Sequence, residues 1–568
     1  MKTRWRRGIL APLIAVALVG SACGGGGSGD DKKAAPPPKA DQNQINPQDR
    51  DKVQDGGKLT WPLGQIPANF NYHHLDGTES TVHDVMWSMM PLIIMHDASG
   101  APQWNPDYLA GEPKVATDPK HVVTYEINPK AQWDDGTPMT WEDFHWHWKA
   151  KNGTDKAYII SSSNGYSDIE SVEKGKDDRE VVVTFKSRFA DWPSLFSPLY
   201  PAATNKDPKV FNEGWKEQPL ATTAGPFKFQ SIDKTAQTIT VVRNDKWWGN
   251  KAKLDEIVYR VIDPNAQIDS LANGEIDFVD IGPNADHYQR AVTFDGVEIR
   301  QAGGPNFRHF TINAESKVLE DVKVRQAIAQ GIDRTAIAKA LLGPLGLDPK
   351  PLDNHIFMAN QDGYKDNSGD VGKYDPDKAK AGLDAAGWTL NGDVREKDGT
   401  KLEIKFVIPA GVASSKQEAE LTQNMLAQIG VKVNIESVPI NDFFEKYVTP
   451  GNFDFTVFSW LGTPYPISSS KSIYAEPKKN DQGELEFQQN YARVGSAELD
   501  KLFDDANAEL DRSKAIELAN QADALIWESV HSLTLYQRPE LIAAKKELAN
   551  HGARGFADFR YEDMGWVK

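Results

Sequence analysis

Leu421-Thr422-Gln423-Asn424-Met425-Leu426-Ala427-Gln428-Ile429-Gly430-Val431-Lys432-Val433-Asn434-Ile435 changes its hydrophobic period part-way along. Leu421, Met425 and Ile429 fall four apart, on one face of a helix that starts near Lys416, and Gly430 ends it. Val431, Val433 and Ile435 then alternate, so a strand follows directly and runs towards Val438. A little further on, Phe453-Asp454-Phe455-Thr456-Val457-Phe458-Ser459-Trp460 reads as a mostly apolar strand buried on both faces. Helix running into strand, followed by a doubly buried strand, is the pattern of an α/β sheet covered by helices.

The pattern extends outward in both directions. Asp321 opens a helix carrying Val324, Ile328 and Ile332 at four-residue spacing, Asp333 caps another ending near Gly343, and Asp511 to Val530 reads as helix. Before about residue 310, strands such as Val181 to Phe185 and Thr238 to Arg243 dominate, separated by Gly, Asp and Pro turns. Two α/β lobes of different texture are therefore expected, and about 510 residues of balanced composition exceed what one core usually holds. No repeat of fixed period is present.

The amino terminus has a separate character. Lys2, Arg4, Arg6 and Arg7 precede an apolar run from Ile9 to Val19, which is an export-signal pattern. The run is about half the roughly 20 residues needed to cross a bilayer, so a cleaved signal is favoured over a permanent span. Arg6-Arg7-Gly8-Ile9-Leu10 also loosely matches a twin-arginine signal, leaving the export route open. Cys23 is the only cysteine, so an intrachain disulfide is impossible. From Gly24 to about Gly57 the chain is Gly, Ser, Asp, Lys, Pro, Gln and Asn with almost nothing apolar, which reads as a tether with a reach of roughly 30 to 35 Å. The formal net charge of −17 argues against a nucleic-acid or anionic-lipid surface.

Chemistry-bearing signatures are scarce. The sequence contains no G-x-S-x-G, H-E-x-x-H or G-x-x-x-x-G-K-[ST] segment, which disfavours a hydrolase or a nucleotide-binding enzyme. His145 and His147, two apart on a helix, point about 200° from one another and cannot share a metal from that helix alone. His73-His74 is the other histidine pair. Acidic pairs such as Asp134-Asp135 and Asp504-Asp505 fit solvated turns and helix faces among 81 acids.

Two resemblances follow, one at the amino terminus and one carried by five segments of the body. Gly20-Ser21-Ala22-Cys23 resembles a lipobox, with Gly20 where leucine is usual. Trp133-Asp134-Asp135-Gly136-Thr137-Pro138-Met139-Thr140-Trp141-Glu142-Asp143-Phe144 is the most specific of the five in the body. The second is Thr223-Ala224-Gly225-Pro226-Phe227-Lys228-Phe229 with Val242-Arg243-Asn244-Asp245-Lys246-Trp247-Trp248-Gly249. Leu254-Asp255-Glu256-Ile257 with Leu271-Ala272-Asn273-Gly274-Glu275-Ile276-Asp277 follows, and then Phe310-Thr311-Ile312-Asn313 with Asp321 to Ile328 and Gly331-Ile332-Asp333-Arg334. The last comprises Ala386-Gly387-Trp388, Gly430 to Val433 and Gly451-Asn452-Phe453-Asp454-Phe455. In this order the five body segments resemble the extracytoplasmic solute-binding proteins that serve ABC importers for oligopeptides, dipeptides and nickel.

That resemblance implies an α/β, two-lobed fold of the periplasmic-binding-protein type (type II), with an extra N-terminal subdomain and a hinged ligand cleft. It implies an export signal over 1–22, a lipidated tether over 23–57, lobe I over 58–310 with the subdomain at about 87–220, completion of lobe I by 535–568, and lobe II over 311–534. The chain would cross near Phe307 to Ile312 and return near Leu533 to Gln537. The expected product is a non-enzymatic, monomeric lipoprotein, anchored outside the cell membrane through Cys23, that needs no cofactor. It would capture an oligopeptide or related solute and deliver it to ABC permease subunits. A lipoprotein of the same fold that regulates envelope glycolipid assembly is the alternative.

The expected ligand wall comprises Asn69, Phe70, Asn71 and Tyr72 after the first strand, and Trp460, Leu461, Gly462, Thr463 and Tyr465 on lobe II. Peptide-binding members often place an aspartate three residues beyond the tryptophan that ends the buried strand, to pair with the ligand's α-ammonium. Here that position is Thr463, which cannot supply a charge-assisted bond. Val457 likewise stands where some members have an arginine.

Overall fold

The computed structural model describes residues 43–568, apart from 221, 481, 482 and 484. The export signal, Cys23 and most of the tether lie outside the described residues.

Lobe I is built on a four-stranded sheet ordered Lys58–Leu63, Glu256–Val261, Thr238–Arg243, Phe227–Asp233, in which only the first pair is parallel. A second sheet places Glu540–Lys545 between Phe278–Asp280 and Val297–Ala302, so a C-terminal strand completes the lobe. The extra subdomain carries an antiparallel sheet of Lys114–Ala116, Val122–Glu126, Glu180–Phe185 and Ile169–Lys174, covered by the helix Trp141–Lys151. Thr140 caps that helix and Asp143 closes a capping box, which accounts for the Thr-x-x-Asp spacing of the first motif. The subdomain shares most of its core with the rest of lobe I and adds a small cluster of Ala150, Tyr158 and Phe211. One apolar cluster runs from Leu59 and Trp61 through Tyr125 and Val183 to Ile257.

Lobe II is a mixed five-stranded sheet in the order Lys432–Val438, Glu403–Pro409, Phe455–Trp460, Phe307–Ile312, Ser532–Gln537. The first three strands are parallel and the last two pairings antiparallel. Helices Val322–Gln330, Arg334–Leu342 and Arg512–Ser529 begin at Asp321, Asp333 and Asp511, each of which accepts a bond from a first-turn N–H. The helix Ala413–Ala427 precedes strand Lys432–Val438 as the change of period predicts. Phe455, Thr456 and Val457 are fully buried, and the one polar side chain among them, Thr456, donates to the Val407 carbonyl at 2.9 Å.

Two boundaries differ from the sequence expectation. Phe307–Ile312 and Ser532–Gln537 belong wholly to the lobe II sheet, so the chain crosses at 303–306 and at 538–539 rather than inside those strands. Gly303-Gly304-Pro305 and Pro539 supply the breaks, because proline cannot donate to a ladder. The two crossing segments are bonded to one another, Arg538 N to Asn306 O at 2.8 Å and Gln537 Nε2 to Gly304 O at 2.6 Å. The tether is also shorter than composition suggests. Gln44 pairs with Ala553, Val53 is fully buried and pairs with Val567, and the Arg50 guanidinium reaches Glu562 O at 2.9 Å. A polar segment poor in apolar residues still docks when its backbone finds partners on a preformed surface.

Candidate ligand-binding cleft

The lobes are shut on one another. The Asn164 side chain donates to Ser468 O at 2.7 Å, Gln488 to Ser163 Oγ at 3.1 Å, Ala190 N to Asn507 O at 2.8 Å, and Lys156 pairs with Glu486 at 2.6 Å. Nearer the centre, Tyr465 of lobe II meets His96 of lobe I, with the hydroxyl 3.0 Å from Nε2. Asp558 accepts from His96 Nδ1 at 2.8 Å and from its backbone N–H at 2.9 Å. Burial pushes the Asp558 carboxyl up, but the His96 bond and the charges of His96, Arg554 and His83 outweigh it and leave the group below its ordinary value. His96 thus bridges Asp558 of lobe I and the Tyr465 hydroxyl of lobe II through its two ring nitrogens.

The centre of the lobe II wall is an aromatic stack. Trp460 lies between His309, at 5.6 Å and 14°, and Tyr491, at 5.9 Å and 2°. Burial, with the charge of Arg308, holds His309 well below the ordinary histidine value, so the stack is neutral. The indole N–H of Trp460 and His309 Nδ1 are buried without a protein partner. Beside the stack, a small cavity is lined by Phe307, Ile356, Met358, Thr463, Ser469 and Ile473, among others.

The loop that follows Trp460 lies against the crossing segment. Gly462 N donates to Asn306 Oδ1 at 3.1 Å, and a Cβ at residue 462 would stand 2.1 Å from Pro305 O, so only glycine fits there. Leu461 is 38% exposed. The Thr463 hydroxyl accepts from Tyr465 N at 3.1 Å, which spends it on a local turn. Trp460 through Tyr465 thus sit together at the lobe boundary.

The lobe I residues sort differently. Asn69, Phe70 and Asn71 are fully buried, and both amides are used inside the lobe, on Asn212 O at 2.9 Å and Phe211 O at 3.0 Å. These three hold the loop down rather than face the cleft, and that corrects the sequence expectation. Buried amides need internal acceptors, and the 211–212 turn provides them. Only Tyr72 is partly exposed. Its ring packs on Trp87 at 4.7 Å, and burial pushes the phenol up to about 12. Val457 is fully buried in the central sheet.

Sequence reasoning missed His83, His96, His309 and Tyr491. They lie in unremarkable contexts and are collected only by the fold. The histidines weighed for a metal have other employment. His145 Nδ1 bonds Val172 O at 2.8 Å, and His147 turns inward to Tyr166 at 3.2 Å. His73 lies 4.6 Å from His147, ring to ring, and its Nδ1 is 3.2 Å from the Lys151 amine.

Residues 103–481 match the family model described as bacterial extracellular solute-binding proteins, family 5 Middle. The chain belongs to this family. It therefore acts outside the cytoplasm as a solute-binding protein of an ABC importer. Among the described residues no helix is long and apolar enough to cross a membrane. A family relative, the oligopeptide-binding protein OppA of Mycobacterium tuberculosis (strain ATCC 25618 / H37Rv), is 40% identical over 570 residues, covering 99% of this chain and 94% of the relative. The probable monoacyl phosphatidylinositol tetramannoside-binding protein LpqW of the same strain is 30% identical over 226 residues, 39% of this chain and 35% of that one. The solved structure of the oligopeptide-binding protein AppA from Bacillus subtilis in complex with a nonapeptide superposes with a TM-score of 0.78 at 23% identity, covering 91% of this chain and 100% of that one. That likeness shows the two-lobed fold.

Proposed function

We propose that this family member captures an oligopeptide between its two lobes and delivers it to ABC permease subunits while anchored to the outer face of the membrane by a lipid on Cys23. The observation that carries the ligand class is the 40% identity, over 99% of the chain, to a protein named for oligopeptide binding. The shut arrangement supports lobe closure as the working motion. Tyr465 can reach His96 only when the lobes meet, so a ligand that bridges both walls stabilises the form a permease would recognise. The coupling between ligand and closure can be no larger than the ligand's differential affinity for the two states. Such work needs no catalyst.

A second reading, a regulator of envelope glycolipid assembly with the same fold, draws support from the shorter match to LpqW and from Thr463 standing where an acid is expected. One experiment separates them. The protein is purified without denaturation, unfolded, and the released small molecules are identified by mass spectrometry. Peptides are the expected result, whereas a released glycolipid overturns the peptide assignment and favours the regulator. Cys23→Ala is expected to abolish the acyl mass on the mature chain and release it from the membrane fraction. Retention in the membrane would refute the anchor.

A further inference from the structure

Each half of the Tyr465–His96 contact is tied back to the place where the chain crosses between the lobes. On lobe II, the loop that carries Tyr465 is held to the first crossing segment by the bond from Gly462 N to Asn306 Oδ1 at 3.1 Å. On lobe I the matching tie is Glu540. This residue follows Pro539 at the second crossing, and in the sheet it pairs with Ala302, which stands just before the first. A Cβ on Gly304 would lie 3.1 Å from Glu540 Cβ, so Glu540 packs against the crossing segment itself.

Both carboxylate oxygens of Glu540 are spent on one turn. Oε1 accepts from Arg554 N at 3.0 Å and Oε2 from Gly555 N at 2.8 Å. The turn closes with Ala557 N donating to Arg554 O at 3.1 Å and ends at Asp558. Asp558 N donates to His96 O at 3.0 Å, while its carboxylate takes the backbone and ring N–H bonds of His96. The Arg554 guanidinium stays close by, 3.2 Å from His83 Nε2. The turn after His96 is wedged between this segment and lobe II, since a Cβ on Gly100 would stand 3.5 Å from Phe556 Cβ and 3.2 Å from Pro464 Cβ. The route from the crossing to the lobe boundary is therefore continuous: Glu540, the turn 554–558, His96 and Tyr465.

We propose that Glu540 is a positioning residue for lobe closure: it sets Asp558 and His96 in register with the crossing segments, so that rotation about 303–306 and 538–539 brings Tyr465 onto His96. This rests on the reading that closure traps the ligand. Hinge motion is absorbed by a few residues, and what lies just beyond them decides which surfaces meet when the lobes shut. Two adjacent N–H donors need an acceptor at each end of one side chain, which an ionised carboxylate offers and an amide does not. Glutamine is therefore the informative substitute. It keeps the shape of Glu540 but turns one end into a donor facing an N–H, which frees the turn at one of its two points and loosens the carboxylate that orients His96.

Wild type, Glu540→Gln, Tyr465→Phe and the double variant, each freed of endogenous ligand, are equilibrated across a dialysis membrane with one pool of peptides from a protein digest. The share of each peptide held is measured by mass spectrometry. Glu540→Gln is expected to weaken retention by about 2- to 10-fold, the range set by the single hydroxyl bond it positions. The double variant is expected to lose no more than the weaker of the two single variants, because both act on one contact. A residue that only stabilised lobe I would leave the Tyr465→Phe loss intact, so the two losses would multiply. That outcome, or unchanged retention by Glu540→Gln, overturns the proposal and leaves the peptide reading standing. If Glu540→Gln does not fold, the same cycle is run with Glu540→Asp, which keeps the charge but is one methylene short of the turn. If wild type holds no peptide, the peptide reading fails, and small-angle X-ray scattering of the ligand-free proteins decides the proposal. Glu540→Gln and Tyr465→Phe must then open the lobes equally and the double variant no further, whereas separate increments overturn it.

Discussion

Two buried cationic side chains, Arg308 of lobe II and Lys151 of the extra subdomain, are treated in opposite ways. In lobe II, Arg308 on the crossing strand is buried against Glu418 of the helix Ala413–Ala427, which is itself fully buried. Ser415 Oγ accepts from Arg308 at 3.0 Å, and the Tyr536 hydroxyl donates to the same Glu418 carboxylate. Burial disfavours the charge on Arg308, yet Glu418 outweighs it and the guanidinium ends above its ordinary value. In the extra subdomain, Lys151 is buried beside His73 and His147 with no acid near it, and burial takes its amine down from 10.5 to about 7. A buried cation is thus kept by its partner or tends to lose its proton, and these two sites use the two solutions.

The comparison can be broken most forcefully at Glu418. Glu418→Ala leaves the Arg308 guanidinium buried and uncompensated and should cost about 3 to 5 kcal/mol in a denaturant melt. A loss below about 1 kcal/mol would mean that water reaches Arg308, and the pairing would not matter.

Lys151 is tested by pH. Between about pH 7 and 10 the unfolded chain holds a proton on this lysine that the folded chain tends to lack, so stability rises with pH through that window and is lost as pH falls towards 7. The slope from one such group is at most about 1.4 kcal/mol per pH unit. Lys151→Met should flatten the difference between melts at pH 7.5 and 9.5 relative to wild type. Parallel curves for the two proteins would show that the folded chain keeps this lysine charged.

The smallest expected effect lies where the lobes meet. Tyr465→Phe spares both cation sites and removes one hydroxyl bond to His96, worth about 0.5 to 1.5 kcal/mol. Peptide affinity by calorimetry should fall by about 2- to 10-fold, with no change in the melting temperature of the ligand-free protein. An unchanged affinity would show that the bond contributes nothing to closure, whereas a drop in ligand-free stability would place its role in the lobes themselves.

Much of this architecture was legible in the residues. Leu421, Met425 and Ile429 marked a helix face, Asp321, Asp333 and Asp511 marked helix starts, and the apolar run Phe453 to Trp460 marked the central strand, because those signals are local and periodic. The loop Trp460 to Tyr465 was expected as cleft wall only through family resemblance. Asn69, Phe70 and Asn71 were misread, since a polar loop after a strand looks the same whether its amides meet solvent or the backbone at 211–212.

By itself, then, the sequence determined the two lobes, their helices and strands, the family, and a loop with threonine where an acid was expected. Those properties follow from spacing along the chain, which the backbone converts directly into faces and ends. The tertiary structure alone decided that the chain crosses at Pro305 and Pro539, that residues from Gln44 onward dock on the lobe, and that Trp460 is stacked between His309 and Tyr491. Residues far apart in the chain acquire their electrostatic meaning only when folding removes water between them and decides which charges are left without a partner.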